Sequence, residues 1–89
     1  MTFLTEVAAV AKHGVTIQDR TYMMTTYERS FTGKDLTAFL IARNYADSVD
    51  QAVRMGQAMV DNNLLGHVLR DHGFKNEDLF YRFASDERP

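Results

Sequence analysis

The segment Phe31-Thr32-Gly33-Lys34-Asp35-Leu36 constrains this chain more than any other, because it specifies both where a helix starts and how the chain enters it. Thr32 reads as an N-cap, and Asp35, three residues on, stands where a capping box places its reciprocal acceptor. Phe31 and Leu36 occupy the N′ and N4 positions of a hydrophobic staple, so an aromatic is expected against the first helical turn. Near the other end, Leu79-Phe80-Tyr81-Arg82-Phe83 alternates aromatic and other residues as a strand does.

With 89 residues, 45% hydrophobic and 25% charged, the chain has the make-up of one globular domain. A domain of this size buries about 60% of the surface its unfolded chain exposes. It has no cysteine, which excludes a disulfide framework and a thiolate metal site. That composition suits a reducing compartment. The first residues, Met1-Thr2-Phe3-Leu4-Thr5-Glu6, have no basic n-region and carry an acid in the apolar stretch, so no signal peptide is expected. No apolar run approaches the roughly 20 residues of a membrane span. A formal charge of −2 gives no general attraction for nucleic acid or anionic lipid.

A helix is expected from Thr2 to His13, with Phe3, Val7, Val10 and Ala11 on one apolar face and Gly14 as its left-handed C′ residue. From Val15 to Ser30 the helical period vanishes and Thr and Tyr accumulate, predicting a β-hairpin arm that bends between Arg20 and Thr25. Gly33 to Arg43 is a helix with Leu36, Phe39, Leu40 and Arg43 along one side, closed by Asn44. Ser48-Val49-Asp50-Gln51 is a second capping box. It opens a helix to Asn62 with Val49, Ala52, Val53, Gly56, Met59 and Val60 inward and Asp50, Arg54, Gln57 and Asp61 outward. A terminal hairpin pairs Leu64–Arg70 with Leu79–Ala84 around a loop at 71–78. Residues 1–84 are expected to form the domain, and 85–89 a polar tail.

The predicted order is helix, β-arm, helix, helix, β-hairpin: an α+β fold of winged-helix type, a three-helix core with an arm inserted between helices 1 and 2 and a C-terminal hairpin. It resembles the DEP domain, a small signalling and docking module. The resemblance rests on Gly14 to Arg20 with Asp19-Arg20, Phe31-x-Gly33, Phe39-Leu40, Ala52 with Met59-Val60, Leu64-Leu65-x-His67 and Leu79-x-Tyr81-x-Phe83. These marks stand in the family's order, at Dishevelled-type spacing without a gap from Gly14 to Leu40. Most of them are core residues by periodicity, and Asp19 and Arg20 are expected as an ion pair or brace of the arm.

No enzyme is expected. There is no cysteine nucleophile, no Gly-rich phosphate loop and no Gly-x-Ser-x-Gly elbow, and Asp71-His72 are adjacent residues on a glycine-bearing loop. No cofactor is called for. His67, Asp71 and His72 fall short of the four converging ligands of a structural zinc, so no metal centre is expected either.

A nucleic-acid reader is the rival reading, since winged helices commonly place the helix before the wing in a major groove. Here the outer stripe of that helix has one cation, Arg54, between Asp50 and Asp61. Residues 45–89 carry five basic and eight acidic side chains, a net −3. Phosphate would be repelled.

The resemblance implies docking onto a protein partner or a membrane within an intracellular signalling protein, in the cytoplasm or at the membrane surface, beside other domains. Membrane-binding members use a basic surface and the arm tip. This chain has Met24, Asp61 and Gly66 where the Dishevelled type has lysine, lysine and arginine. Each such loss removes about 1 kcal/mol of attraction to anionic lipid. A protein partner is therefore favoured, with membrane contact weak and peripheral. The expected contact surface is the arm: Tyr22, Met23 and Met24 as adaptable apolar contacts, Arg20, Arg29 and Lys34 as the polar rim. A long hairpin of loosely specified register also invites a homodimer by arm exchange.

Overall fold

The structure is a computed structural model that describes residues 2–87. Met1 and the last two residues of the expected tail, Arg88 and Pro89, lie outside the described residues.

Helix α1 spans Phe3–Gly14, and its Thr2 cap accepts a hydrogen bond from the Thr5 N–H at 3.2 Å. Two expectations for it are corrected. Gly14 has no positive φ; the helix closes on extended Val15, whose N–H donates to the Ala11 carbonyl at 2.9 Å. Glycine is needed at 14 for space, because a Cβ there would fall within 3.0 Å of the Phe39 ring. The buried face is Val7, Ala8 and Ala11, while Phe3 is 60% and Val10 39% exposed. Leu4, Val7, Ala8 and Ala11 form an overlapping stripe with the same i, i+3, i+4, i+7 spacing. Its two alanines let α1 come close to both other helices, whereas Phe3 meets Tyr45 edge-on at 6.2 Å.

Strands β1 (Gln18–Tyr22) and β2 (Thr25–Thr32) form the arm, joined by the two-residue turn Met23-Met24 inside the expected bend. Between the pairs Gln18↔Ser30 and Arg20↔Tyr27, Asp19 faces both Glu28 and Arg29, a β-bulge. Arg29 adopts φ 51° there, and its N–H donates to the Asp19 carboxylate at 3.1 Å.

Helix α2 (Gly33–Ala42) starts where the sequence indicated, with the Asp35 N–H donating to the Thr32 hydroxyl at 3.1 Å. Phe31 and Leu36 are fully buried. Asn44 takes the left-handed conformation at φ 63°. Arg43, expected along the apolar side, is exposed and lies over the Phe39 ring at 5.0 Å. Helix α3 (Val49–Asp61) is capped by Ser48, and Gln51 accepts from the Asp47 N–H. Val49 opens the helix and is exposed, not inward. Gln57 is half-buried, because its side-chain oxygen accepts the Phe74 N–H at 2.8 Å.

Strands β3 (Leu65–His67) and β4 (Phe80–Phe83) complete one antiparallel sheet of order β1-β2-β4-β3. The pairs Phe31↔Tyr81 and Thr32↔Phe80 join arm to wing, and Phe31 stacks on Phe83 at 4.5 Å. The α+β winged-helix architecture is thus present, with the two hairpins fused into one sheet. After β4 a 3-10 turn, Ala84–Asp86, folds back on α1, where Lys12 bonds Ser85 and pairs with Asp86 at 3.2 Å.

Candidate functional site

The arm is braced at its base and bare at its tip. Arg20 turns inward: its Nε donates to the Ser30 carbonyl at 3.2 Å, its Nη2 to the Thr16 carbonyl at 3.1 Å, and its guanidinium lies 6.0 Å from the centre of the Phe80 ring. Asp35 stands 3.9 Å from the same guanidinium instead of closing the capping box. Tyr27 meets Phe80 edge-on at 5.9 Å, and Arg82 Nε donates to the Glu28 carbonyl at 2.8 Å. Toward the tip the Thr21 and Thr26 hydroxyls are hydrogen-bonded at 3.0 Å.

At the tip Tyr22 is 63%, Met23 79% and Met24 98% exposed. Both methionines have positive φ, 53° and 66°. A two-residue hairpin turn with positive φ at both positions is of type I′, which suits the strand twist and favours Asn-Gly. Left-handed backbone costs a side-chain-bearing L-residue roughly 1–2 kcal/mol. The turn was not legible because neither residue is a turn former.

The other expected site residues are spread along the arm. Arg29 is exposed at the bulge. Lys34 lies at the start of α2 with Asp78 at 3.7 Å, roughly 20–25 Å from the tip at the rise of a strand. Arg20 is committed to holding the arm. The structure therefore groups Tyr22, Met23 and Met24 at one end and leaves Arg29 and Lys34 on the flank and base.

Beside the arm is a cleft of about 450 Å³ that the sequence did not reveal. Tyr22 and Tyr27 line it from the arm, Val68 and Leu69 from the wing and Phe80 from β4. Leu69, just past the short β3, is 57% exposed at its edge. His67, Asp71 and His72 also line it. Burial pushes the His67 imidazole below the usual histidine range; Asp71 opposes that shift and His72 adds to it. Burial likewise raises the Tyr81 phenol, which donates to the Gly73 carbonyl at 2.6 Å and accepts from the Lys75 N–H at 3.0 Å. Tyr81 so ties the wing loop to the core. On the α3 side, Asp50, Arg54 and Asp61 are exposed, as are Asp71, Glu77 and Asp78 of the wing loop.

Three helices, a four-stranded sheet and an arm projecting between the first two helices define a winged-helix-like α+β domain. The family model described as "Domain found in Dishevelled, Egl-10, and Pleckstrin (DEP)" matches residues 14–83, and the chain belongs to the DEP family. DEP domains are generally non-catalytic modules of signalling proteins. The chain is 34% identical over 71 residues to the phosphatidylinositol 3,4,5-trisphosphate-dependent Rac exchanger 1 protein of Mus musculus, covering 80% of this chain and 4% of that protein. It is 30% identical over 74 residues to the vacuolar membrane-associated protein IML1 of Saccharomyces cerevisiae, covering 81% of this chain and 5% of that one. The chain therefore spans only a small part of the relatives it matches.

Among solved structures, the DEP domain of human pleckstrin superposes with a TM-score of 0.78 at 12% identity, over 94% of this chain and 75% of that one. That of mouse pleckstrin2 gives 0.76 at 22%, over 97% and 82%. Both likenesses establish the fold. Among the described residues no helix is long and apolar enough to cross a membrane.

Proposed function

We propose that this DEP domain is a non-enzymatic docking module of a longer cytoplasmic signalling protein, and that it engages a protein partner through the tip of its arm. The observation that supports this most is the Met23-Met24 turn. Two large apolar side chains stand in solvent on backbone that favours Asn-Gly, and strain of this kind concentrates at functional positions. Flexible thioethers beside a tyrosine suit an adaptable contact. Arg29 on the flank supplies the polar rim and Arg20 holds the arm in place, while Lys34, at the base beside Asp78, stands apart from the tip. With Arg29 on its flank, the tip suits a segment carrying hydrophobes and an acid, such as a receptor tail. Relatives named as phosphatidylinositol-dependent or membrane-associated support recruitment near a membrane, where the tip touches anionic headgroups only weakly. Docking is assigned to the single copy; exchange of arms between two copies would remake the same Arg82 contact across a dimer and keep the Arg20 bonds within the arm.

Met23→Asp with Met24→Asp is expected to abolish recruitment of the full-length protein in cells while the thermal midpoint stays within a few degrees. Met23→Asn with Met24→Gly is the companion variant: it removes the same side chains, relieves the positive φ and raises the midpoint. Unfolding by the aspartates, or undisturbed recruitment in both variants, sinks the assignment.

The nucleic-acid alternative loses support from the exposed acids of α3 and the wing loop. No measurable binding to random duplex is expected at moderate salt in an anisotropy titration. Micromolar affinity with a steep salt slope would overturn that, with Arg54→Glu as the next variant.

A further inference from the structure

The face of the sheet turned away from the helices carries aromatics where a solvated face is ordinarily polar. In β4, Tyr81 and Phe83 are buried toward the core, and Phe80 alternates with them, meeting Tyr27 edge-on at 5.9 Å. Both rings line the cleft of about 450 Å³ between arm and wing, with Leu69 across from them on the wing side. Tyr22 and Leu69, 63% and 57% exposed, leave it open to solvent. A cleft of this volume takes a few side chains of an extended segment, not the surface of a folded domain.

Charge selects what can enter. Asp71, Glu77 and Asp78 line the cleft, and among the described residues no lysine or arginine does. Lys34 stands 3.7 Å from Asp78, but both side chains are mostly exposed, and a surface pair of that kind is weak. The imidazoles of His67 and His72 lie beside Asp71. Arg20 lies over Phe80 with its guanidinium turned to the Ser30 and Thr16 carbonyls and to Asp35. A lipid headgroup or nucleic-acid phosphate brought to this cleft would meet three carboxylates. The same field attracts a cation.

We propose that the cleft is a docking site for a peptide segment of a protein partner in which one bulky apolar residue is closely followed by lysine or arginine. The apolar side chain enters between Tyr27, Leu69 and Phe80, and the cation lies against the carboxylates of the wing loop. Burial of the apolar side chain supplies the affinity, and the charge fixes the direction in which the segment lies. The site is separate from the arm-tip contact, whose flanking charge is of opposite sign; only Tyr22 borders both.

Panning a random heptapeptide library against the chain is expected to enrich peptides with leucine, methionine or phenylalanine one or two places before lysine or arginine. A labelled peptide from that set should bind with micromolar affinity in an anisotropy titration and more weakly as salt rises. Leu69→Ser, and Glu77→Lys with Asp78→Lys, change exposed side chains, so they keep the parental melt and should each weaken binding about tenfold or more. The same peptide with glutamate in place of its cation should regain affinity for the lysine variant. Met23→Asn with Met24→Gly should bind as the parent does, which separates this site from the tip. Failure to enrich such peptides, enrichment of acidic ones, or parental affinity in Leu69→Ser overturns the proposal. Binding to phosphatidylserine vesicles or self-association that Leu69→Ser abolishes would assign the cleft to lipid or to a second copy, and equally overturn it.

Discussion

Tyr81→Ala is expected to destabilise the domain by about 3–5 kcal/mol in urea denaturation, as truncation of large buried aromatics does. Tyr81 is fully buried, packs against Phe31 at 6.1 Å and Phe74 at 5.1 Å, and pairs across the sheet with both Phe31 and His67. Removing the ring opens a cavity where arm, wing and helices meet. It also strands the Gly73 carbonyl and Lys75 N–H that the phenol satisfies. Tyr81→Phe separates the two effects: with the ring kept, about 1–3 kcal/mol should be lost through those unmade hydrogen bonds. Phe31→Ala, equally buried and stacked on Phe83, is expected to match Tyr81→Ala. A loss below about 1 kcal/mol in either alanine variant, the range of surface changes, means the aromatic is not core.

Gly33→Ala is expected to destabilise by about 3 kcal/mol, the upper end of ordinary overpacking. The sign is what makes this informative. In an open helix glycine is worse than alanine by about 0.5–1 kcal/mol, so the exchange would normally stabilise. Here the Gly33 N–H donates to the Leu79 carbonyl at 3.1 Å and the Lys34 N–H to the Glu77 carbonyl at 3.0 Å, which draws the wing loop onto the start of α2. A Cβ would come closer than 3.0 Å to the Lys75 carbonyl oxygen, and Tyr81 Cε1 and the Glu77 carbonyl stand at 3.1 and 3.2 Å. A backbone oxygen cannot rotate aside as a side chain does, so the loop must move and both hydrogen bonds weaken. Denaturation that shows Gly33→Ala equal to or more stable than the parent would mean the loop does not rest on this helix.

Much of this fold was written in short-range signals. Thr32 and Ser48 cap α2 and α3 because a cap is completed within three residues along the chain, and Asn44 closes α2 because asparagine tolerates the left-handed turn. Period fixed Leu36, Phe39, Leu40, Ala52 and Met59 as core, and the alternation at Tyr81 and Phe83 likewise. Together with their order, these residues carried the DEP resemblance.

Tertiary structure decided the rest, because each remaining choice had two locally acceptable answers. On α1, Phe3-Val7-Val10-Ala11 and Leu4-Val7-Ala8-Ala11 are both helical stripes, and only packing against two helices selects the one with small residues. Arg20 could serve equally as a rim cation or a brace until the bulge set the Ser30 carbonyl in its reach. Met23 and Met24 carry no turn chemistry of their own; pairing of the strands on either side forces them to positive φ and into solvent. The β2–β4 pairing joins residues about fifty apart in sequence, and the approach of Asp71 and His72 to His67 depends on a loop held by Tyr81 and Gln57. Such contacts close long segments of chain, and the free energy that selects them comes from burial across the whole domain, not from the residues at either end.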